Sequence, residues 1–160
     1  MLRIAATVVA LGIGATVVFA QNLDAIKQRR EVMRGIVKAG DGAFKMTKGE
    51  VPFDLPTVQA GLKGYQDQAG KLKGLFPEDS KTGGNTDASP KIWQARGEFD
   101  TAVDTFIGVA KTAADAIKDE ATFKAEYPKV LRSCAGCHKE TDGFSPKLGD
   151  SFKKLQQPLQ

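Results

Sequence analysis

The chain has 160 residues, 41% hydrophobic and 26% charged, with a formal charge of +4; this suits one compact domain and falls short of the size at which cores divide. The basic excess is mild and scattered, and no basic run carries interleaved aromatics, so the electrostatic footprint of a nucleic-acid binder is missing. Two cysteines and one histidine are one short of the four ligands a zinc site of the usual type needs.

Residues 1–20 read as a signal peptide. Met1-Leu2-Arg3 is a short basic start, Ile4 to Phe19 is apolar apart from two glycines and two threonines, and Val18-Phe19-Ala20 puts small residues before a cleavage point. Cleavage after Ala20 leaves 21–160 as the expected mature domain. The apolar run is shorter than the ~20 residues that span a bilayer, so no membrane span is expected afterwards. Losing Arg3 takes the formal charge from +4 to +3.

Four amphipathic helices follow. Asn22 is an N-cap, and the first helix runs to about Gly49 with its apolar stripe at positions 26, 30, 33, 37, 40 and 44, interrupted by Arg30 and Gly40. Asp54 caps a second helix with Pro56 in its first turn and Val58, Leu62, Tyr65, Ala69, Leu72 and Leu75/Phe76 on one face. Gly61, Gly64 and Gly70 should weaken it. Pro77 to Pro90, with Gly83-Gly84-Asn85, reads as a long crossing loop. Ser89-Pro90 opens a third helix that extends to about Lys118 with Trp93, Phe99, Val103, Phe106 and Ala110 inward. Phe99 and Phe106 read as core, while Trp93 could touch a bound group. Asp119 to Thr122 starts a fourth helix carrying Phe123, Tyr127, Val130, Leu131 and Cys134, with a kink or restart expected at Pro128. From Asp142 the chain reads as a surface tail, with Phe152 and Leu155 as possible anchors.

The chemistry concentrates in Cys134-Ala135-Gly136-Cys137-His138. A C-x-x-C-H run is a covalent haem attachment signature: two thiols fix the porphyrin and the adjacent imidazole binds its iron. A disulfide across two intervening residues would close too small a loop to stabilise much. A thioredoxin-type pair needs a βαβ setting, and no strand pattern surrounds the motif.

The order of these features resembles the class II c-type cytochromes of the cytochrome c′ family. The likeness rests on Arg29 four residues before Met33, on Leu75-Phe76-Pro77 before an acidic loop, on Thr86, Ala88, Pro90, Ile92 and Trp93 with Phe99 beyond, and on Cys134-x-x-Cys137-His138 near the C-terminus. It spans about Leu23 to His138. It implies an all-α, antiparallel four-helix bundle with one covalently bound haem c, a periplasmic location, and in many members a homodimer. Carried over, Cys134 and Cys137 form the thioethers, His138 is the proximal ligand, Arg29 sits near a propionate and Met33 faces the iron from the distal side. The chain departs from the family where an aromatic and then a basic residue usually follow the histidine by three and four positions; Thr141 and Asp142 stand there.

The sixth ligand separates the functions open to such a protein. His138 is the only histidine, which excludes a second imidazole from the same chain. Met33 lies mid-helix on the apolar stripe, whereas Met46 falls near the helix end among Lys45, Thr47 and Lys48. A soft thioether from Met33 would saturate the iron and raise its potential, giving a soluble one-electron carrier; methionine also fills core gaps without ligating anything. In that second case Met33, Val32 and Ile36 would guard an open pocket for nitric oxide or carbon monoxide. Peroxidase-like turnover wants a distal acid–base residue, so an enzyme is not expected. Redox partner proteins would bind transiently, steered by Lys139, Lys147, Lys153 and Lys154.

Overall fold

The computed structural model describes residues 22–139 and 143–145. The leader with its cleavage point, Thr141, Asp142, Lys147, Phe152, Lys153, Lys154 and Leu155 lie outside the described residues. The helices are α1 (Leu23–Thr47), α2 (Leu55–Ala69), the single turn α3 (Lys91–Gln94), α4 (Arg96–Ala116) and α5 (Glu120–Cys137), with 3₁₀ turns at Lys73–Leu75 and Glu78–Ser80. Among the described residues there is no strand, and no helix is long and apolar enough to cross a membrane.

The helix starts follow from side chains that accept the first orphan amides. Asn22 Oδ1 accepts from the Ala25 amide at 3.0 Å, and Asp54 from Thr57 at 2.9 Å. Asp119 accepts from Thr122 at 2.8 Å while the Thr122 hydroxyl accepts from the Asp119 amide, a reciprocal capping box. α5 then runs unbroken through Pro128, so the expected restart does not occur. The third predicted helix does break. Ala95, at φ −127° and ψ 52°, separates α3 from α4. The break lets Trp93 Nε1 donate to the carbonyls of Phe76 and Pro77, and Arg96 reach the carbonyl of Lys73.

α1, α2, α4 and α5 make a four-helix bundle in which α1 packs on α2, α2 on α4 and α4 on α5. Its main core joins Val58, Leu62 and Tyr65 of α2, Phe106 and Ala110 of α4, and Phe123, Tyr127 and Val130 of α5. One layer takes a residue from each of the four bundle helices. Tyr65 and Tyr127 share a buried hydrogen bond of 2.8 Å, the Tyr65 ring lies tilted by 50° against Phe106 with centroids 5.5 Å apart, and the Tyr65 hydroxyl fits against Gly40 of α1. A Cβ on Gly40 would lie 1.8 Å from that hydroxyl, and Cβ atoms on Gly61 and Gly64 would meet Ala39 at 2.7 Å. Of the glycines read as interruptions or weak points, Gly40, Gly61 and Gly64 sit where α1 and α2 pack too closely for a side chain, whereas Gly70 is the C-cap of α2.

α1 and α5 hardly meet. The first helix of the bundle and the last leave a seam between them.

Candidate haem site

The seam holds a cavity of about 360 Å³, within the ~300–1,000 Å³ usual for cofactor clefts. α1 contributes Arg29, Arg30, Met33, Arg34, Ile36 and Val37; α4 contributes Phe99, Val103 and Phe106; the end of α5 contributes Ser133, Cys134, Cys137 and His138. Leu72, Phe76, Thr86, Asp87, Ala88, Ile92, Phe144 and Ser145 close the rest. The five residues singled out in the sequence, Arg29, Met33, Cys134, Cys137 and His138, therefore border one space, although about a hundred residues separate the first two from the others.

α1 turns out to have two apolar faces. Ala25, Ile26, Val32, Ile36 and Ala43 are buried together with Arg29 and Gly40, a stripe rotated from the predicted one. Met33 and Val37 lie on the cavity side, and Val37 is 71% exposed. The predicted stripe merged a core-facing row with a cavity-facing row, because both are apolar at helical spacing.

Cys134 and Cys137 are three apart on α5, so both thiols fall on the same flank of the helix, and both are free and half-buried. Burial pushes the Cys134 thiol up to about 12, with Cys137 as a lesser cause, and raises Cys137 as well. His138 is the C-cap of α5, its amide donating to the Cys134 carbonyl at 3.3 Å. Burial lowers the imidazole below its ordinary value, against the opposing effect of a hydrogen bond with the Ser145 backbone, which favours the neutral ring a metal binds. Among the described residues no three His, Cys, Asp or Glu side chains gather as a metal cage. Two thiols and one imidazole at the edge of a cavity walled by aliphatic and aromatic side chains fit a flat apolar macrocycle held covalently and ligated from one side.

Arg29 is buried, and its guanidinium is committed to the crossing loop. One terminal nitrogen donates to Ser80 Oγ at 3.0 Å and the Leu75 carbonyl at 3.4 Å; the other donates to the Ser80 carbonyl at 2.9 Å and to Thr86 Oγ1. It also lies 4.9 Å from the Phe76 ring centroid and 5.8 Å from that of Trp93. The loop itself turns through three successive left-handed residues, Gly83, Gly84 and Asn85. Trp93 does not border the cavity. It braces the loop instead, its ring edge on Phe76 at 5.9 Å.

Phe144 is the site residue the sequence reading missed. It falls in the segment read as a surface tail, yet it is buried, its amide donates to the Cys137 carbonyl at 2.9 Å and its ring meets Phe99 at 5.3 Å. The signal available was an aromatic, Gly143-Phe144-Ser145, just beyond the haem motif. Met46 borders a separate recess of about 540 Å³ at the other end of α5, beside Phe53, Glu120 and Lys124, and has no part in this site. Of the lysines expected to steer partners, Lys139 is described and exposed.

Comparison with known proteins gives three consistent results. A family model described as cytochrome C′ matches residues 24–140. A cytochrome c′ of Rhodopseudomonas palustris is 41% identical over 141 residues, covering 87% of this chain and 94% of that one; cytochrome c-556 of the same organism is 32% identical over 153 residues, covering 93% and 100%. The solved cytochrome c′ from Rhodopseudomonas palustris superposes with a TM-score of 0.73 at 40% identity, over 78% of this chain and 98% of that chain.

Proposed function

The chain belongs to the cytochrome c′ family, whose members carry one covalently attached haem c, and from that premise we propose a periplasmic one-electron carrier with residues 1–20 as a cleaved leader and 21–160 as its single domain. When bound, the haem supplies an iron couple that gains or loses one electron. Cys134 and Cys137 would hold it through thioethers and His138 would offer an imidazole nitrogen to its iron. Met33, across the seam on α1, would offer its thioether sulfur. Val103, Phe106 and Phe144 exclude water, which lowers the local dielectric and the reorganisation that accompanies a change of charge. Arg29 holds the loop that closes the cavity. No residue is assigned a catalytic role.

The observation that carries this reading is the convergence on one apolar cavity of a thioether from the first helix and two thiols and an imidazole from the last. A second reading rests on another observation: Met33 is also packed against the main core, beside Ile36. In that arrangement Met33 would pack over the haem without ligating it, and the haem would offer its iron to nitric oxide or carbon monoxide.

Optical and electron paramagnetic resonance spectra of the purified holoprotein decide between the two. The carrier reading expects low-spin iron in both oxidation states, unmoved by carbon monoxide, and conversion to a carbon monoxide-binding form in Met33→Leu, a swap that nearly conserves volume. High-spin iron that binds the gas in the wild type would establish the second reading.

A further inference from the structure

The outward face of α1 beside the cavity mouth carries Lys27, Arg30, Arg34 and Lys38, all exposed and spaced by three or four residues, hence in one row. None of the four forms an ion pair among the described residues, although most other exposed lysines on the bundle do: Lys45 with Asp41, Lys63 with Asp67, Lys124 with Glu120 and Lys129 with Glu126. Arg30 and Arg34 themselves form the rim of the cavity, and the largely exposed Val37 sits between the row and the opening. Asp24, Glu31 and Asp41 on the same helix and Asp87 across the mouth are the nearby acids, and Asp41 is engaged by Lys45. The row keeps a small positive excess over the other three.

Cations in a row without ion pairs cost folding stability through mutual repulsion, even with Arg30 donating to the Gly84 carbonyl at 3.5 Å, and an apolar side chain held in water among them contributes nothing to the core. Both features make sense at a transient interface, where a rim of charge steers encounter and a small apolar centre excludes water. We propose that this face of α1 is the docking surface for an acidic redox-partner protein, bringing that partner against the open edge of the cavity. The proposal rests on the electron-carrier reading, and it moves the steering charge from the lysines after the haem motif to the first helix.

The test compares the wild-type holoprotein with two variants of equal charge change. One reverses the row (Lys27→Glu, Arg30→Glu, Arg34→Glu, Lys38→Glu); the other reverses Lys63, Lys111, Lys118 and Lys124, remote from the mouth. Stopped-flow electron exchange is measured with anionic hexacyanoferrate and with a cationic tris(phenanthroline)cobalt complex. At low salt the row variant should lose at least tenfold with the anion and gain with the cation, the remote variant should change far less, and the difference should collapse near 1 M salt, where the Debye length is ~3 Å. Equal effects from both variants would overturn the proposal. Slow exchange with both probes in the wild type would instead count against the carrier reading. A second measurement stands apart from electron exchange: carbodiimide cross-linking to polyglutamate, mapped by mass spectrometry. Cross-links concentrated at Lys27 and Lys38 support the surface. Links spread over Lys63, Lys111 and Lys124, or joining two copies of the chain through α1, would refute an acidic partner there.

Discussion

Substituting Gly40 by alanine tests how the bundle is held together beneath the cavity. In an exposed helix interior the change stabilises by about 1 kcal/mol, because alanine loses less backbone freedom on folding. At Gly40 the new methyl would lie 1.8 Å from the Tyr65 hydroxyl and 2.6 Å from Cζ, so Tyr65 must withdraw. Its ring is buried and confined by Phe106, which puts the overpacking at ~1–3 kcal/mol. Withdrawal also breaks the 2.8 Å bond to Tyr127, whose fully buried hydroxyl then lacks its partner, a further ~1–3 kcal/mol. Less the helix gain, the net loss is on the order of 3 kcal/mol, or about 10 °C in Tm for a domain of this size. Urea denaturation of the holoprotein followed by circular dichroism measures it. Gly108→Ala, where nothing stands within 4 Å of the added Cβ, is the control and should be neutral or stabilising. In a Tyr65→Phe background the nearest clashing atom is gone, so Gly40→Ala should cost less there by more than 0.5 kcal/mol, roughly the threshold for real coupling. A Gly40→Ala protein as stable as the wild type would refute this account of the layer.

Three further outcomes follow from the same structure. Burial raises both tyrosines of the pair, Tyr65 to about 12, above an ordinary value of 10.0; the unfolded chain releases these protons first, so the stabilisation is complete below pH ~10 and is lost as pH rises from there through 12. The wild type should therefore lose stability in that window more steeply than Tyr65→Phe/Tyr127→Phe in alkaline denaturation, and parallel curves would contradict it. Arg29→Ala removes the four donor contacts that pin the crossing loop and should cost about 2–4 kcal/mol while the haem stays attached; hydrogen exchange across residues 75–88 should quicken, and unchanged exchange would remove the clamp. Asp119→Ala deletes half of the α5 capping box and should lower the urea midpoint by the equivalent of about 1 kcal/mol, an unchanged midpoint showing that α5 is held by packing alone.

What the sequence disclosed and what it hid divide along physical lines. Caps and helical periodicity are local, and Asn22, Asp54 and Asp119 stand where their side chains accept the first amides of α1, α2 and α5. The haem motif is local too. The division of the α1 stripe was not legible, because Val37 faces the cavity, Val32 the core, and Met33 and Ile36 border both, and the pattern is the same. Nor was the break at Ala95, which depends on carbonyls of a loop some twenty residues upstream accepting from Trp93 and Arg96. Gly40 looked like an interruption because its neighbour, a tyrosine hydroxyl, belongs to another helix. Phe144 looked like tail because nothing local to it reveals that Phe99 waits 5.3 Å away.

The open seam between α1 and α5 also bears on how the chain reaches this state. α1–α2 and α4–α5 meet across short connections and α2–α4 across the longer segment of residues 70–95, so each bundle helix packs on the next one in chain order. Such low contact order goes with folding in microseconds to milliseconds. Only the seam asks the two ends of the bundle to meet, and the entropy of closing so long a loop is met last. In the proposed holoprotein the group tethered to α5 and facing α1 is the clasp on that final closure. Unfolding should then start where folding finishes, with α1 peeling from the haem face while the α2–α4–α5 core is still intact.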